Sequence, residues 1–327
     1  MRILVTGSAG RIGSAALEVF ISNGHDVVGL DRRASGRSCE TYVEKVASLD
    51  DMAAVTEAIK GVDAIVHLGA FMSWKADDRD EMFRSNVEGT RALLEAAEAS
   101  GVKRFVFASS GEVYPENAPL SLPITEDHPL CPTSPYGLTK LLGEELVRFH
   151  QRRGSMETVI LRFSHTQDVV ELLDEDSFFS GPRFFYGPRI RQQMAFGNHV
   201  IADLLRAHDP GRPAHILARS ENGRPVRMHI TDTRDMVAGL LLALDHPAAA
   251  GRVFNLGATD PVDFEPLISA MSEITGYPVV TVDLPGPGVF YQTSNRRIRE
   301  LLGYAPKWTI DRMLEDAAMA RKARTAE

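Results

Sequence analysis

The first thirteen residues constrain the chain more than any other stretch. Residues 2–6 hold Ile3, Leu4 and Val5 in a short apolar run and read as a buried strand. Gly7-Ser8-Ala9-Gly10-Arg11-Ile12-Gly13 follows, and a helical pattern runs from Arg11 to about residue 23. Strand, glycine-rich turn and helix in that order make a cradle for a dinucleotide. The first glycine permits the tight turn, the second lets a pyrophosphate approach the backbone, and the third lets helix and strand pack closely. The helix start then aims free N–H groups at the phosphates. The spacing is GxxGxxG rather than GxGxxG. A glycine-rich surface turn is the plainer reading of such a motif alone, and its position between a strand and a helix argues for the cradle.

Residues 26–30 form a second buried strand ending at Asp31, near the spacing expected for the acid that holds an adenosine ribose. A carboxylate there accepts from both ribose hydroxyls and repels a 2′-phosphate, which selects NAD. Arg32 and Arg33 follow at once. They are either a solvated loop pair or a site for that phosphate, which keeps NADP as the alternative cofactor.

Residues 64–68 are another buried strand, followed by Gly69-Ala70, small enough for the backbone to lie against a cofactor. His67 within it reads as a satisfied core histidine. Residues 78–99 read as one long amphipathic helix, 104–109 as a strand, 135–152 as a helix and 157–163 as a strand. This alternation predicts an α/β fold with a Rossmann-type, doubly wound parallel sheet. After Phe163 the regularity breaks, and residues 165–198 carry acidic, aromatic and arginine clusters. The rest predicts a smaller, interleaved C-terminal α/β substrate domain. The expected boundaries are 1–163 for the dinucleotide domain, with 228–257 returning to it, and 164–227 with 258–327 for the substrate domain.

Charge and composition remove other classes. The 327 residues include 36 basic and 44 acidic side chains, a net charge of −8, with no long basic block, so nucleic acid is not expected as a partner. No apolar run reaches the roughly 18 residues of a membrane span. The first strand begins at residue 2, so no signal peptide is expected. Cys39 and Cys131 make neither a disulfide framework nor a metal-site spacing, so no metal is expected. A cytoplasmic location fits these features.

The chemistry sits further along. Tyr136 and Lys140 are spaced i, i+4 at a helix start and share one face. A lysine ammonium near a phenol favours the phenolate, which can take a proton from a substrate hydroxyl. Ser110, at the end of the preceding strand, can hold the reacting oxygen in line with Tyr136. Tyr and Lys at this spacing are common on solvated helices, so the pair gains weight only beside the cradle and the serine.

With these pieces in order, the chain resembles the extended short-chain dehydrogenase/reductase family, in its NAD-dependent epimerase/dehydratase branch. The matching segments are TGSAGRIG, LDRR, HLGA, NVEGT, SSGEVYP, SPYGLTK, RFS, HITDTRD and NLG. The resemblance implies tightly held NAD, Tyr136 as catalytic base, Lys140 as ribose binder and modulator of the phenol, and Ser110 as the hydroxyl-orienting partner. It implies cofactor contacts from Gly7, Gly10, Arg11, Ile12, Gly13, Asp31, Leu68, Gly69, Ala70 and Asn86, with Arg32 beside Asp31. Ser48-Leu49 stands where the family often has Asp-Leu, which leaves Leu49 but no carboxylate for the adenine. Glu112 matches a proton-abstracting glutamate of the sugar-nucleotide dehydratases and decarboxylases, and is read here chiefly as a hydroxyl binder.

The family often runs directly from its RxN to its YGPR segment. Here more than twenty residues separate Arg162-Phe163-Ser164 from Tyr186-Gly187-Pro188-Arg189. Arg183, Arg189 and Arg191 either grip a substrate anion or pair with Asp174, Glu175 and Asp176. Position 225 is Pro where nucleotide-sugar enzymes tend to have Arg, with Arg224 and Arg227 on either side, and Arg227 is the expected substrate contact of the two. Phe178, Phe179, Phe184 and Phe185 read as lid core, and His165 and His229 as structural or pocket-lining. The function implied is an NAD-dependent sugar or nucleotide-sugar epimerase working by transient hydride transfer at a carbinol carbon. The alternatives are a dehydrogenase of a free sugar, sugar acid or other secondary alcohol, a dehydratase or decarboxylase using Glu112, and a non-catalytic NAD-binding regulator. A homodimer is expected through helices 78–99 and 137–152, with Leu93 and Leu142 as candidate interface residues.

Overall fold

Short apolar strands alternate with amphipathic helices through the first half of the chain. The computed structural model describes residues 1–73, 75–115 and 118–326. β1 (Arg2–Thr6) leads into α1 (Arg11–Ser22), β2 (Asp26–Asp31), β3 (Tyr42–Val46), α2 (Met52–Ile59) and β4 (Ala64–His67). α3 (Arg79–Phe83), α4 (Gly89–Ala99), β5 (Arg104–Ser110), α5 (Pro135–Arg153) and β6 (Glu157–Phe163) follow. Beyond them come β7 (His165–Gln167), α6 (Ser180–Phe184), α7 (Tyr186–Ala195), α8 (His199–Ala207), β8 (His215–Arg219), β9 (Arg227–Met228) and β10 (Ile230–Asp232). α9 (Thr233–Asp245), β11 (Arg252–Leu256), β12 (Val262–Asp263), α10 (Phe264–Thr275), β13 (Val279–Asp283), α11 (Arg296–Leu302) and α12 (Ile310–Ala326) complete the described chain.

Seven strands form one parallel sheet in the order β11-β6-β5-β4-β1-β2-β3. The near-continuous apolar runs of β1, β4 and β5 suit strands covered on both faces. On one face Ala16, Leu17 and Phe20 of α1 meet Met236, Leu240 and Leu244 of α9, with Ile298 and Leu302 of α11 alongside. On the other, Val55 and Ile59 of α2, Leu93 and Leu94 of α4 and Val147 of α5 cover Leu4, Ile65 and Phe105. A separate core gathers Leu172, Phe184, Phe185, Phe264, Ile268, Tyr291 and Met313. The strand order reverses between β1 and β4, and in such sheets ligands sit beyond the strand ends at that switch.

Two expectations change. The single helix over 78–99 is α3 and α4 joined by one π-helical turn, Arg84–Glu88, which carries Asn86. Periodicity alone does not reveal such a turn, because the buried face continues through it, carried there by the polar Asn86. Leu93 is fully buried inside the protomer against the sheet, so it is not an interface residue.

α5 is strongly delimited. Ser134 caps it by accepting from the Gly137 N–H, Pro135 takes the first turn, and Gly154 ends it in the left-handed region at φ 71°. Its buried face carries Glu144, which is fully enclosed. Arg162 of β6 grips that carboxylate through Nε at 2.9 Å and a terminal nitrogen at 2.8 Å. Ser109 donates to it at 2.6 Å and Arg148 at 2.7 Å. The other end of Arg162 donates to the Tyr114 hydroxyl at 2.7 Å, and Tyr114 donates to Asn255 at 2.8 Å. One buried polar network therefore ties α5, β5, β6 and β11 together.

Tyr114→Phe keeps the packing but leaves Arg162 and Asn255 each short of a partner. It is expected to cost about 1–3 kcal/mol, the range for a buried group left unsatisfied, measured by denaturant unfolding.

Candidate active site

The cleft opens at the C-terminal ends of β1, β4, β5 and β6, at the sheet's switch point. Its cavity is about 300 Å³, and Gly7, Gly10, Gly13, Ser110, Glu112, Tyr136 and Lys140 all line it. The glycine loop lies flat because side chains are excluded. Gly7 has φ +70°, and a Cβ there would sit 2.8 Å from the Gly69 nitrogen. A Cβ at Gly13 would sit 2.0 Å from the Gly7 carbonyl oxygen. Gly10 caps α1 with no side-chain hydrogen bond, so no side chain covers the first-turn N–H groups. A loop this close to the backbone, ending at an uncovered helix start, fits a dinucleotide pyrophosphate. Ile12, Leu68 and Ala70 also line the cleft.

Asp31 ends β2 beside this loop, accepting from the Ala9 N–H at 3.1 Å and the Arg33 N–H at 3.0 Å. Arg32 is ion-paired with Glu81 at 2.7 Å and lies over the Phe71 ring. Leu49 packs beside Gly89 and against the core beneath α2 and α4, and it is not among the cleft-lining residues. Asn86 is buried, and its amide is engaged by protein. It accepts from the Phe71 N–H at 2.7 Å, and donates to the Phe71 carbonyl at 2.8 Å and to Thr139 at 3.0 Å. It braces the 69–72 loop against α5 next to Lys140.

Arg11 reaches away from the loop. It donates to the Thr166 carbonyl, pairs with Glu171 at 3.1 Å, and lies 4.7 Å over the Phe179 ring. Burial pushes its pKa down, opposed by Glu171 and Asp168. The segment after Phe163 thus straps across the glycine loop. Thr166 and Phe179 line the cleft with His165. Arg183 donates to Nδ1 of His165 at 3.2 Å, and since a guanidinium only donates, the imidazole proton belongs on Nε2. Burial first, then Arg183 and His229, hold His165 well below its usual pKa, so the ring is neutral.

Tyr136 and Lys140 face one another across one helical turn, the ammonium 5.6 Å from the phenol ring. Lys140 also donates to the Ala108 carbonyl at 2.8 Å. Burial lowers it to about 8, and Glu144 opposes that shift. The expected lowering of the phenol does not follow from the protein atoms: burial, then the Glu112 charge, push Tyr136 up. Glu112 accepts from Ser134 at 2.5 Å, and burial raises its pKa against Ser134 and Arg183. Ser110 accepts from the Glu112 N–H at 3.1 Å.

Of the other arginines, Arg183 meets the cleft through His165, and its charge acts to lower the Glu112 pKa. Arg189 is desolvated within α7 and donates to Gln192 at 3.0 Å. Arg227 pairs with Asp263 at 3.2 Å, and Arg191 lies 4.0 Å from Asp176 on the surface. Neither Arg189 nor Arg227 is among the cleft-lining residues. Tyr291 forms a cleft wall that no motif announced: it is buried and donates to the Gly111 carbonyl at 3.1 Å. Among the described residues no His, Cys, Asp or Glu cluster could hold a metal ion, and no helix is long and apolar enough to cross a membrane.

The family model for the NAD dependent epimerase/dehydratase family matches residues 3–167. The chain belongs to that family. A UDP-glucose 4-epimerase of Mycolicibacterium smegmatis is 30% identical, over 94% of this chain and 94% of that protein. A crystal structure of a short-chain dehydrogenase/reductase superfamily protein from Agrobacterium tumefaciens with bound NAD is 67% identical, with a TM-score of 0.96 over 100% of this chain and 98% of that one. MoeE5, solved with UDP-glucuronic acid and NAD, is 25% identical, with a TM-score of 0.77 over 99% and 100% of the two chains.

His67 shows how this family member braces the site from beneath. It bridges Thr6 at 2.6 Å and Thr90 at 2.9 Å, and burial, then Lys140, lower it to about 3. Between that value and about 6.5 the unfolded chain binds the proton and the folded chain does not. This share of stability is therefore complete above about pH 6.5 and is lost as pH falls. His67→Gln is expected to flatten the dependence of unfolding free energy on pH in that window by up to about 1.4 kcal/mol per pH unit, measured by urea titrations at stepped pH.

Proposed function

We propose that this chain is an NAD-dependent epimerase of a sugar or nucleotide sugar, acting by transient oxidation at one carbinol carbon. The observation that carries the reading is the single cleft lined by the glycine loop together with Ser110, Tyr136 and Lys140. The glycine loop, the α1 start, Asp31 and the Leu68–Ala70 stretch are the residues that hold the cofactor on this reading. Asp31 beside an Arg32 already paired with Glu81 favours NAD over NADP. When bound, NAD supplies the hydride acceptor.

The chain's own residues do the rest. Tyr136 takes the proton from the reacting hydroxyl, and Ser110 holds that oxygen in line. Lys140 brings its charge to the Tyr136 face. Glu112 accepts from a neighbouring hydroxyl, and Nε2–H of His165 is a fixed donor. Epimerisation requires that the ketone be reduced on its other face before it departs. The strap that Arg11 ties over the glycine loop supports a retained cofactor, and so supports the epimerase over a net dehydrogenase. The segments 164–227 and 258–327 form the substrate-holding part on this reading. The cellular setting is the cytoplasm, where Cys39 and Cys131 stay free thiols. A homodimer through α3 and α5 is supported by the exposed apolar side chains Phe83, Leu138 and Phe149.

The test is a panel of nucleotide sugars, free sugars and sugar acids, followed at the NADH absorbance and by NMR of the product. A changed stereocentre without NADH build-up is expected; stoichiometric NADH release identifies a dehydrogenase instead. Tyr136→Phe is expected to lower kcat by about 10²–10⁴-fold, the range for losing a general base. Unchanged function in that variant would support a regulator without turnover.

A further inference from the structure

Arg11 is the first residue of α1, set between the second and third glycines of the cradle. Gly10, Arg11 and Gly13 line the cleft from the cofactor side, and His165, Thr166 and Phe179 line it from the strap. Nη1 of Arg11 joins the two sides. It donates to the Thr166 carbonyl and pairs with the Glu171 carboxylate at 3.1 Å, while the guanidinium lies 4.7 Å over the Phe179 ring. The strap end of this bridge is well anchored. Thr166 pairs with Thr231 between β7 and β10, and the Gln167 carbonyl accepts from Thr233 at 3.2 Å. Glu171 closes a capping box by accepting from the Asp168 N–H at 3.4 Å. Leu172 and Leu173, directly after it, are buried in the second core with Met313 and Leu314 of α12. The carboxylate is therefore held by the substrate-side core, and the guanidinium by the first helix of the cofactor side.

We propose that Arg11 and Glu171 form a clasp that sets the rate of cofactor exchange, closed across the cleft during turnover and opened for NAD to enter or leave. The argument rests on where the contact lies and on its charge. A pyrophosphate on the glycine loop lies between the α1 start and the strap, so the bridge has to part before it can lift away. Both polar contacts use one terminal nitrogen of Arg11, which leaves Nε and the other terminal nitrogen for a phosphate oxygen. Arg11 can thus hold the strap and face the cofactor together. No acidic residue stands in the first turn of α1, and the helix dipole disfavours a cation there. Glu171 supplies, from outside the helix, the anion that offsets this. The pair also suits a part that opens. The two side chains keep 19% and 27% of their exposure, so both can return to water while the two cores stay packed.

This inference deepens the retained-cofactor reading given above and rests on it, and its test needs no turnover. Protein loaded with NADH is mixed with excess NAD in a stopped-flow cell, and the fall of NADH fluorescence gives the release rate. Arg11→Met and Glu171→Ala are each expected to release NADH about tenfold faster than the unaltered chain, the low end for a hydrogen bond between charged groups. The double variant is expected to be no faster than the quicker single, because both changes open one contact. An unchanged or slower release in Glu171→Ala overturns the proposal, whatever Arg11→Met does, since Arg11 then serves as a phosphate ligand alone. A double variant whose acceleration is the product of the two singles overturns it as well. Phe179→Leu reaches the same contact without touching the 168–171 turn, and decides the matter if Glu171→Ala does not fold. Release about threefold faster is expected there, the size of an exposed cation–π contact, and an unchanged rate overturns the proposal. If the substrate panel shows stoichiometric NADH release, the epimerase reading fails, while the release rates still decide whether the clasp governs exchange.

Discussion

Everything about the cleft depends on one buried ion pair, Arg162 with Glu144. A guanidinium and a carboxylate removed from water are tolerated only when geometry is bidentate and the remaining lone pairs and protons are met. Here they are met from four directions: Ser109 and Arg148 on the acid, Tyr114 and the Glu126 carbonyl on the base. The pair therefore joins strands and helix that an apolar core would let slide. Ser110 comes from one side of this joint and Tyr136 with Lys140 from the other, so their relative placement is inherited from it.

Around that joint the family architecture divides the work. The sheet's switch point sets where a ligand lies, and the glycine loop sets how closely the backbone approaches it. The segment after Phe163 departs from the family pattern in sequence, and in the structure it has a definite task. It lays Thr166, Glu171 and Phe179 on Arg11 and offers His165 to the cleft through Arg183. Arg11 lines the cleft and is also the tie between that loop and the strap.

Much of the fold was legible because buried parallel strands are apolar throughout, and β1, β2, β4, β5 and β6 all have that pattern. The site's core was legible because its parts are local: three glycines in seven residues, and Tyr136 with Lys140 one turn apart. What depended on distant contacts was not legible. The π-helical turn at Asn86 leaves the buried face of its helix continuous, so no break in the pattern announces it. Arg227 pairs with Asp263, and no local rule couples the two in sequence. Leu93 fits an exposed or a buried face equally by composition, and only the sheet beneath α4 decides it. Tyr291 belongs to no motif at all.

That tyrosine has a consequence for how the molecule comes into being. Its hydroxyl meets the Gly111 carbonyl across 180 positions of chain. As the polypeptide emerges from the ribosome, the glycine loop, Ser110, Tyr136 and Lys140 are all synthesised long before the residue that walls their cleft. A nascent chain can assemble much of the sheet while its reaction chamber still stands open, and only the later arrival of Tyr291 closes it.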